Sequence, residues 1–195
     1  MKYILFLLFV IITLPVFAQE QTLIGAGEIE NGGFGGPAVK VTSIKGETAV
    51  LVGGRGGWIM NHTFVFGGAG YGLVTDVRVK DADSVPQLIR MGYGGLDLEY
   101  IASSNDIVHL SLGLLIGAGS VGFKGNVDDI FDNHRTMDSF FVLEPSAHVN
   151  LNVTHFFRIA GGVSYLYVSG LKSPVLTNTD LSGLSAVLTL EFGNF

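Results

Sequence analysis

The stretch Val108-His109-Leu110-Ser111-Leu112-Gly113-Leu114-Leu115-Ile116-Gly117-Ala118-Gly119 decides the fold. Val108, Leu110, Leu112, Leu114, Ile116 and Ala118 share one phase, and His109, Ser111, Gly113, Gly117 and Gly119 share the other, with Leu115 out of place. A period of two puts one set on each face of an extended strand, whereas a helix would repeat every 3.6 residues. Three later stretches repeat the pattern. Phe141, Leu143, Ala147, Val149, Leu151 and Val153 oppose Glu144, Ser146, His148, Asn150 and Asn152. Phe157, Ile159, Val163, Tyr165 and Tyr167 oppose Arg158, Ala160, Gly162 and Ser164. Leu184, Ala186, Leu188, Leu190 and Phe192 oppose Ser185, Thr189 and Glu191.

Worked outward from these, the pattern predicts strands over 36–45, 48–60, 63–76, 88–102, 107–123, 139–153, 156–168 and 183–195. The connections 61–62, 103–106 and 154–155 are tight turns, while 77–87, 124–138 and 169–182 are longer and mostly polar. Short and long alternate, except that Lys45-Gly46-Glu47 is short where a long loop fits the series. Many long strands in an open sheet would expose unpaired edges, so the sheet must close. Closure also satisfies every backbone group in a medium without water. An up-and-down barrel with tight turns at one end is the plan of a membrane-spanning barrel. Eight strands enclose room for side chains and no open pore.

Composition agrees. Of 195 residues, 48% are hydrophobic and 14% charged, against an average near 25% charged. Mean hydropathy is +0.47. The formal charge of −6, with no basic run, argues against a nucleic-acid partner. The chain has no cysteine, which excludes disulfide scaffolds, thiolate metal sites and cysteine nucleophiles.

Residues 1–18, MKYILFLLFVIITLPVFA, read as a signal peptide. Lys2 supplies the positive start, an apolar run follows to Phe17, and Val16-Phe17-Ala18 is a small-x-small cleavage site. That run is about 22 Å long as a helix, short of a hydrocarbon core of ~30 Å. The expected organisation is a signal peptide over 1–18, a Gly-rich N-terminal segment over 19–35 and a β-barrel over 36–195.

With the signal peptide, the eight alternating segments, the short and long turns and a terminal Phe195, the chain resembles the small eight-stranded outer-membrane β-barrels of Gram-negative bacteria, the OmpA-barrel and OmpX-like group. The resemblance covers the chain from about residue 36. It implies an all-β, eight-stranded antiparallel transmembrane barrel in the cell outer membrane, set among outer-membrane lipids and assembled by the barrel-assembly machinery. It also implies a lumen plugged by salt bridges. One feature departs from the group: Phe192 shares the lipid-facing phase and Phe195 does not.

On these phases Lys40, Arg55, Asp97, Glu99, Glu144, Arg158 and Glu191 point inward. Buried charges must be paired, and Arg158 and Glu191 lie at similar depth on neighbouring strands. His109 and His148 also point inward, at different depths, so a hydrogen-bonding role is expected in place of a shared metal. Loop 124–138 carries Asp128, Asp129, Asp132, Asn133, His134 and Asp138, but not the EF-hand spacing, so a solvated loop is expected rather than a Ca²⁺ site. The runs GAGEIENGGFGG (25–36), GGRGG (53–57) and GGAGYG (67–72) imitate phosphate loops, yet none follows a strand and opens a helix.

The expectation is a non-enzymatic barrel with a structural or surface-interaction role through its outer loops, with no catalytic, cofactor or metal site and with its outer partner unspecified. Two alternatives stand beside it. One is a lipid-modifying acyltransferase or deacylase using His134 and Ser139 near the outer rim. The other is a secreted lipocalin-like carrier, whose apolar face would be inside.

Overall fold

A computed structural model describes residues 30–80, 86–124, 137–173 and 175–195. The strands are β1 (Asn31–Ile44), β2 (Glu47–Met60), β3 (Phe64–Leu73), β4 (Arg78–Lys80), β5 (Pro86–Ala102), β6 (Val108–Lys124), β7 (Asp138–Thr154), β8 (Phe157–Ser169) and β9 (Gly183–Asn194). A single helical turn, α1 (Asn178–Leu181), precedes β9. The sheet runs β3-β2-β1-β9-β8-β7-β6-β5-β4, all neighbours antiparallel, and the β3–β5 pairing closes it. The barrel therefore consists of the eight long strands, with β4 as a short flap on the edge of β5. The predicted signal peptide lies outside the described residues.

The expected strands are present with their ends shifted by a few residues. β1 starts at Asn31, within the stretch read as a Gly-rich segment. Gly32, Gly33, Gly35 and Gly36 give no alternation to read, yet Asn31 to Gly36 pairs residue for residue with Met60 to Arg55. A Cβ on Gly36 would collide with the Leu190 carbonyl, so here glycine marks a close approach of two strands.

The short connection at the loop end has a local cause. Ile44 pairs with Glu47, leaving a two-residue hairpin of Lys45 (φ 51°) and Gly46 (φ 83°). Two positive φ values in succession match the right-handed twist of the flanking strands. At the opposite end, Asn61 (φ 50°) and His62 (φ 52°) turn the chain between β2 and β3.

β5, β6 and β7 each have 17 residues. About ten tilted residues span the hydrocarbon, so these strands extend past it at the loop end. The loops there are not simply polar. Val77 and Val79 from the β3–β5 connection, and Leu176 and Leu181 from the β8–β9 connection, are buried over the barrel mouth with Ile44, Leu51, Ile89 and Val168. Lys45 N donates to Asp180 O at 3.0 Å, and Ser182 Oγ accepts from Val168 N at 3.0 Å. This refines the reading of 77–87 and 169–182 as mostly polar: single apolar residues spaced through a polar stretch leave no periodic signal.

Candidate functional site

The four strands with a legible alternation, β6 to β9, divide by phase as predicted. Leu112 is 62% exposed and its neighbour Ser111 only 2%. Outward positions carry Val39, Val52, Leu110, Val149, Val163 and Leu188. Trp58, Phe66, Tyr100, Phe156 and Phe192 gather outside toward the tight-turn end, and Phe141, Tyr165 and Tyr167 toward the loop end. All seven predicted inward charges are buried, none more than 7% exposed. Apolar outside and charged inside reverses the partition of a water-soluble protein. It removes the lipocalin alternative and suits a hydrocarbon surround with aromatic girdles.

Two ion clusters share the lumen. Arg55, from β2, reaches across to β5 and β9. Its Nη2 pairs with Asp97 Oδ2 at 2.8 Å and with Glu99 Oε2, and its Nη1 lies 3.5 Å from Glu191 Oε1. Lys40 Nζ, from β1, donates to Glu144 Oε1 of β7 at 2.6 Å and lies 3.5 Å from the centre of the Tyr71 ring. Tyr93 Oη donates to Glu144 Oε2 at 3.0 Å, and Ser164 Oγ to Oε1 at 2.6 Å. Glu144 thus accepts from three donors on three strands, the satisfaction that a buried charge requires.

The expected Arg158–Glu191 pair is revised. The two stand opposite each other in the β8–β9 register. Yet Arg158 Nε donates to Asn152 Oδ1 at 2.8 Å, and its guanidinium lies 4.1 Å from the centre of the Phe195 ring, while Glu191 turns to Arg55. Phe195 explains both this and its own phase. The β1–β9 register runs through Phe34↔Gly193 without a bulge, so Phe195 falls inward beside Phe34, ring centres 6.2 Å apart. There it joins Ile59, Val65 and Ile101 in a small apolar cluster at the tight-turn end.

His109 and His148 do face the lumen. His109 Nδ1 lies 3.2 Å from Asp106 O, whereas its Nε2 and His148 Nδ1 meet no hydrogen-bond partner among the described residues. His148 and Thr189 line a cavity of about 20 Å³ between the two ion clusters, together with Lys40, Arg55, Asp97 and Glu144. That is room for about one water molecule. Inward glycines are crowded: a Cβ on Gly119 would lie 2.5 Å from the Phe140 ring, and one on Gly162 2.6 Å from the His148 ring. No cluster of metal-ligating residues occurs among the described residues. Ser139 is exposed at the start of β7, but His134 and the acidic run Asp128 to Asp132 lie outside the described residues. The Gly-rich runs 53–57 and 67–72 are strand interiors of β2 and β3, not phosphate loops.

No protein-family model and no curated protein matches this sequence. Solved structures do match in fold. Neisserial surface protein A superposes with a TM-score of 0.56 at 12% identity, over 84% of this chain and 96% of that one. The N-terminal β-barrel domain of Pseudomonas aeruginosa OprF gives 0.56 at 13% identity, over 85% and 99%. The Pseudomonas aeruginosa outer membrane protein OprG gives 0.57 at 11% identity, over 86% and 96%. At these identities the likeness establishes a shared fold: this chain has the architecture of the small outer-membrane barrels.

Proposed function

We propose that the chain is an integral protein of the outer membrane, a non-enzymatic barrel with a closed lumen that acts structurally or as a surface for interaction through its loop end. One observation carries the reading: seven charged side chains are buried inside while the outward face is apolar. That arrangement is stable only where the surroundings are hydrocarbon. The closed lumen is supported by the ion clusters at mid-depth and by the apolar side chains packed above and below them. Loops 77–87 and 124–138 face outward in this reading, and turns 61–62, 103–106 and 154–155 face the periplasm. Outer-membrane lipids and the barrel-assembly machinery are its partners.

Membranes from cells expressing the full chain test this. The protein should resist alkaline carbonate extraction and run faster on gels when unheated than when boiled. Release into the soluble fraction would overturn the location. In planar bilayers the purified barrel should pass no steady current, and a stable unitary conductance would overturn the closed lumen. Protease added to intact cells should cut a tag at Asp129 and spare one at Ser104.

A further inference from the structure

Among the side chains the structure describes, the outward phase of the strands contains no carboxylate, and its only charges are Arg78 and Arg90; Lys80 and Lys124 occupy register positions beside them. All four lie at one corner of the loop end, on β4, β5 and β6. Arg78 stands opposite Leu88, Leu88 opposite Lys124, and Lys80 opposite Pro86. Arg90, opposite Gly122, is therefore the diagonal neighbour of both Arg78 and Lys124, a separation of about 7–8 Å. Arg78 and Arg90 are exposed, and neither forms an ion pair among the described residues. Glu47 reaches the Arg78 backbone N, at 3.4 Å, not the guanidinium. Two guanidinium groups at this diagonal spacing repel each other, and an anion between them would offset that repulsion.

A second feature adjoins the corner. On the same outward face, Gly92 follows Arg90 by two residues. Gly54, Gly70 and Gly94 are register partners across β2, β3 and β5, and so are Gly72 and Gly92. These positions do not all need glycine. A Cβ on Gly70 would meet nothing closer than Tyr93 O at 3.7 Å, and one on Gly72 nothing closer than Val52 O at 4.0 Å. The result is a smooth track of backbone running down the apolar wall from the cationic corner.

Building on the outer-membrane reading above, we propose that this corner and track form a binding surface for a phosphorylated, multiply acylated lipid of the outer leaflet, lipid A. The guanidinium groups of Arg78 and Arg90 take a phosphate through paired N–H donors. Lys80 and Lys124 occupy the neighbouring register positions, and the acyl chains lie against the glycine track, where no side chain holds them off. The charge complementarity selects a phosphate, and the position at the loop end, above the apolar band, selects a lipid headgroup.

The test uses the full barrel in neutral detergent and reads the midpoint of thermal unfolding as lipid A or phosphatidylglycerol is titrated in. Lipid A should raise the midpoint at lower concentration than phosphatidylglycerol. The double variant Arg78→Gln/Arg90→Gln should need about tenfold more lipid A or beyond for the same rise. The variant Gly70→Leu/Gly72→Leu, folded by the gel-mobility criterion, should weaken the response while keeping both arginines. Equal responses to the two lipids, or an unchanged response in the arginine variant, would overturn the proposal. So would an arginine variant that loses stability equally in lipid-free detergent, because the cations would then be neutralised within the chain. Gel mobility and carbonate resistance are read on the same samples. If they hold and the lipid A response is absent, this surface fails and the outer-membrane reading stands.

Discussion

Lys40 and Glu144 are 104 residues apart in the chain and 2.6 Å apart in the lumen, Nζ to Oε1, each with under 5% of its side chain exposed. They come from β1 and β7, which do not pair, so the contact crosses the barrel instead of following a ladder. Removing either partner leaves a buried charge. Lys40→Met and Glu144→Gln should each destabilise the barrel by about 3–5 kcal/mol in urea unfolding from lipid vesicles. The double variant should cost clearly less than the two combined. Simple additivity would show that the pair does not act as a unit.

Arg55 faces three carboxylates and should couple to them more strongly than Arg158 couples to Glu191. A double-mutant cycle on Arg55→Met and Glu99→Gln should return a coupling of about 0.5–3 kcal/mol. The cycle on Arg158→Met and Glu191→Gln should return a smaller one, since Arg158 bonds Asn152 instead. The reverse ranking would mean that the side chains rearrange to pair across β8–β9.

The face assignment predicts an asymmetry between two consecutive residues. Leu112→Lys sets a charge in the apolar band and should cost ~2–4 kcal/mol if near mid-depth. Leu112→Phe should leave the urea midpoint almost unchanged. At the neighbouring lumenal position, Ser111→Ala removes the acceptor of the 2.9 Å bond from Asn150 Nδ2, at a cost of about 1–3 kcal/mol. If Leu112→Lys is tolerated better than Ser111→Ala, the faces are exchanged.

Gly46 carries the β1–β2 hairpin at φ 83°, with no atom within 4 Å of its missing Cβ. Space is ample there, so only backbone strain opposes a side chain. Gly46→Val should cost about 1–2 kcal/mol, and Gly46→Asn much less, because asparagine tolerates the left-handed region. Equal losses for the two, read by thermal unfolding, would point to packing as the cause.

Leu176 and Leu181 tie the β8–β9 connection over the barrel mouth, each 2% exposed. Leu181→Ala should cost about 2–5 kcal/mol if the cap is part of the cooperative core. It should also raise hydrogen exchange at Ser182 and Lys45, whose bonds hold this connection. Faster exchange without a change in the unfolding midpoint would show that the cap opens independently.

Strand placement and facing were legible in the sequence because both follow from a local rule. A side chain's face depends only on whether its number is odd or even along the strand, and lipid and lumen make opposite demands at each step. Val108 to Ala118 is enough to state which residues of β6 meet hydrocarbon, and the seven inward charges follow from the same parity. What parity cannot supply is the partner. It put Arg158 and Glu191 at one depth, but the choice between Asn152 and Arg55 rests on how far each side chain reaches across a closed lumen. The glycines of β1 gave no phase at all, so the start of that strand was visible only from its pairing with β2 and β9. The apolar cap was equally hidden, because Val77, Val79, Leu176 and Leu181 meet only when two distant connections fold over the same mouth. Facing is set one residue at a time by solvent; pairing and closure are set by strands brought together from across the chain, and only the tertiary structure decides them.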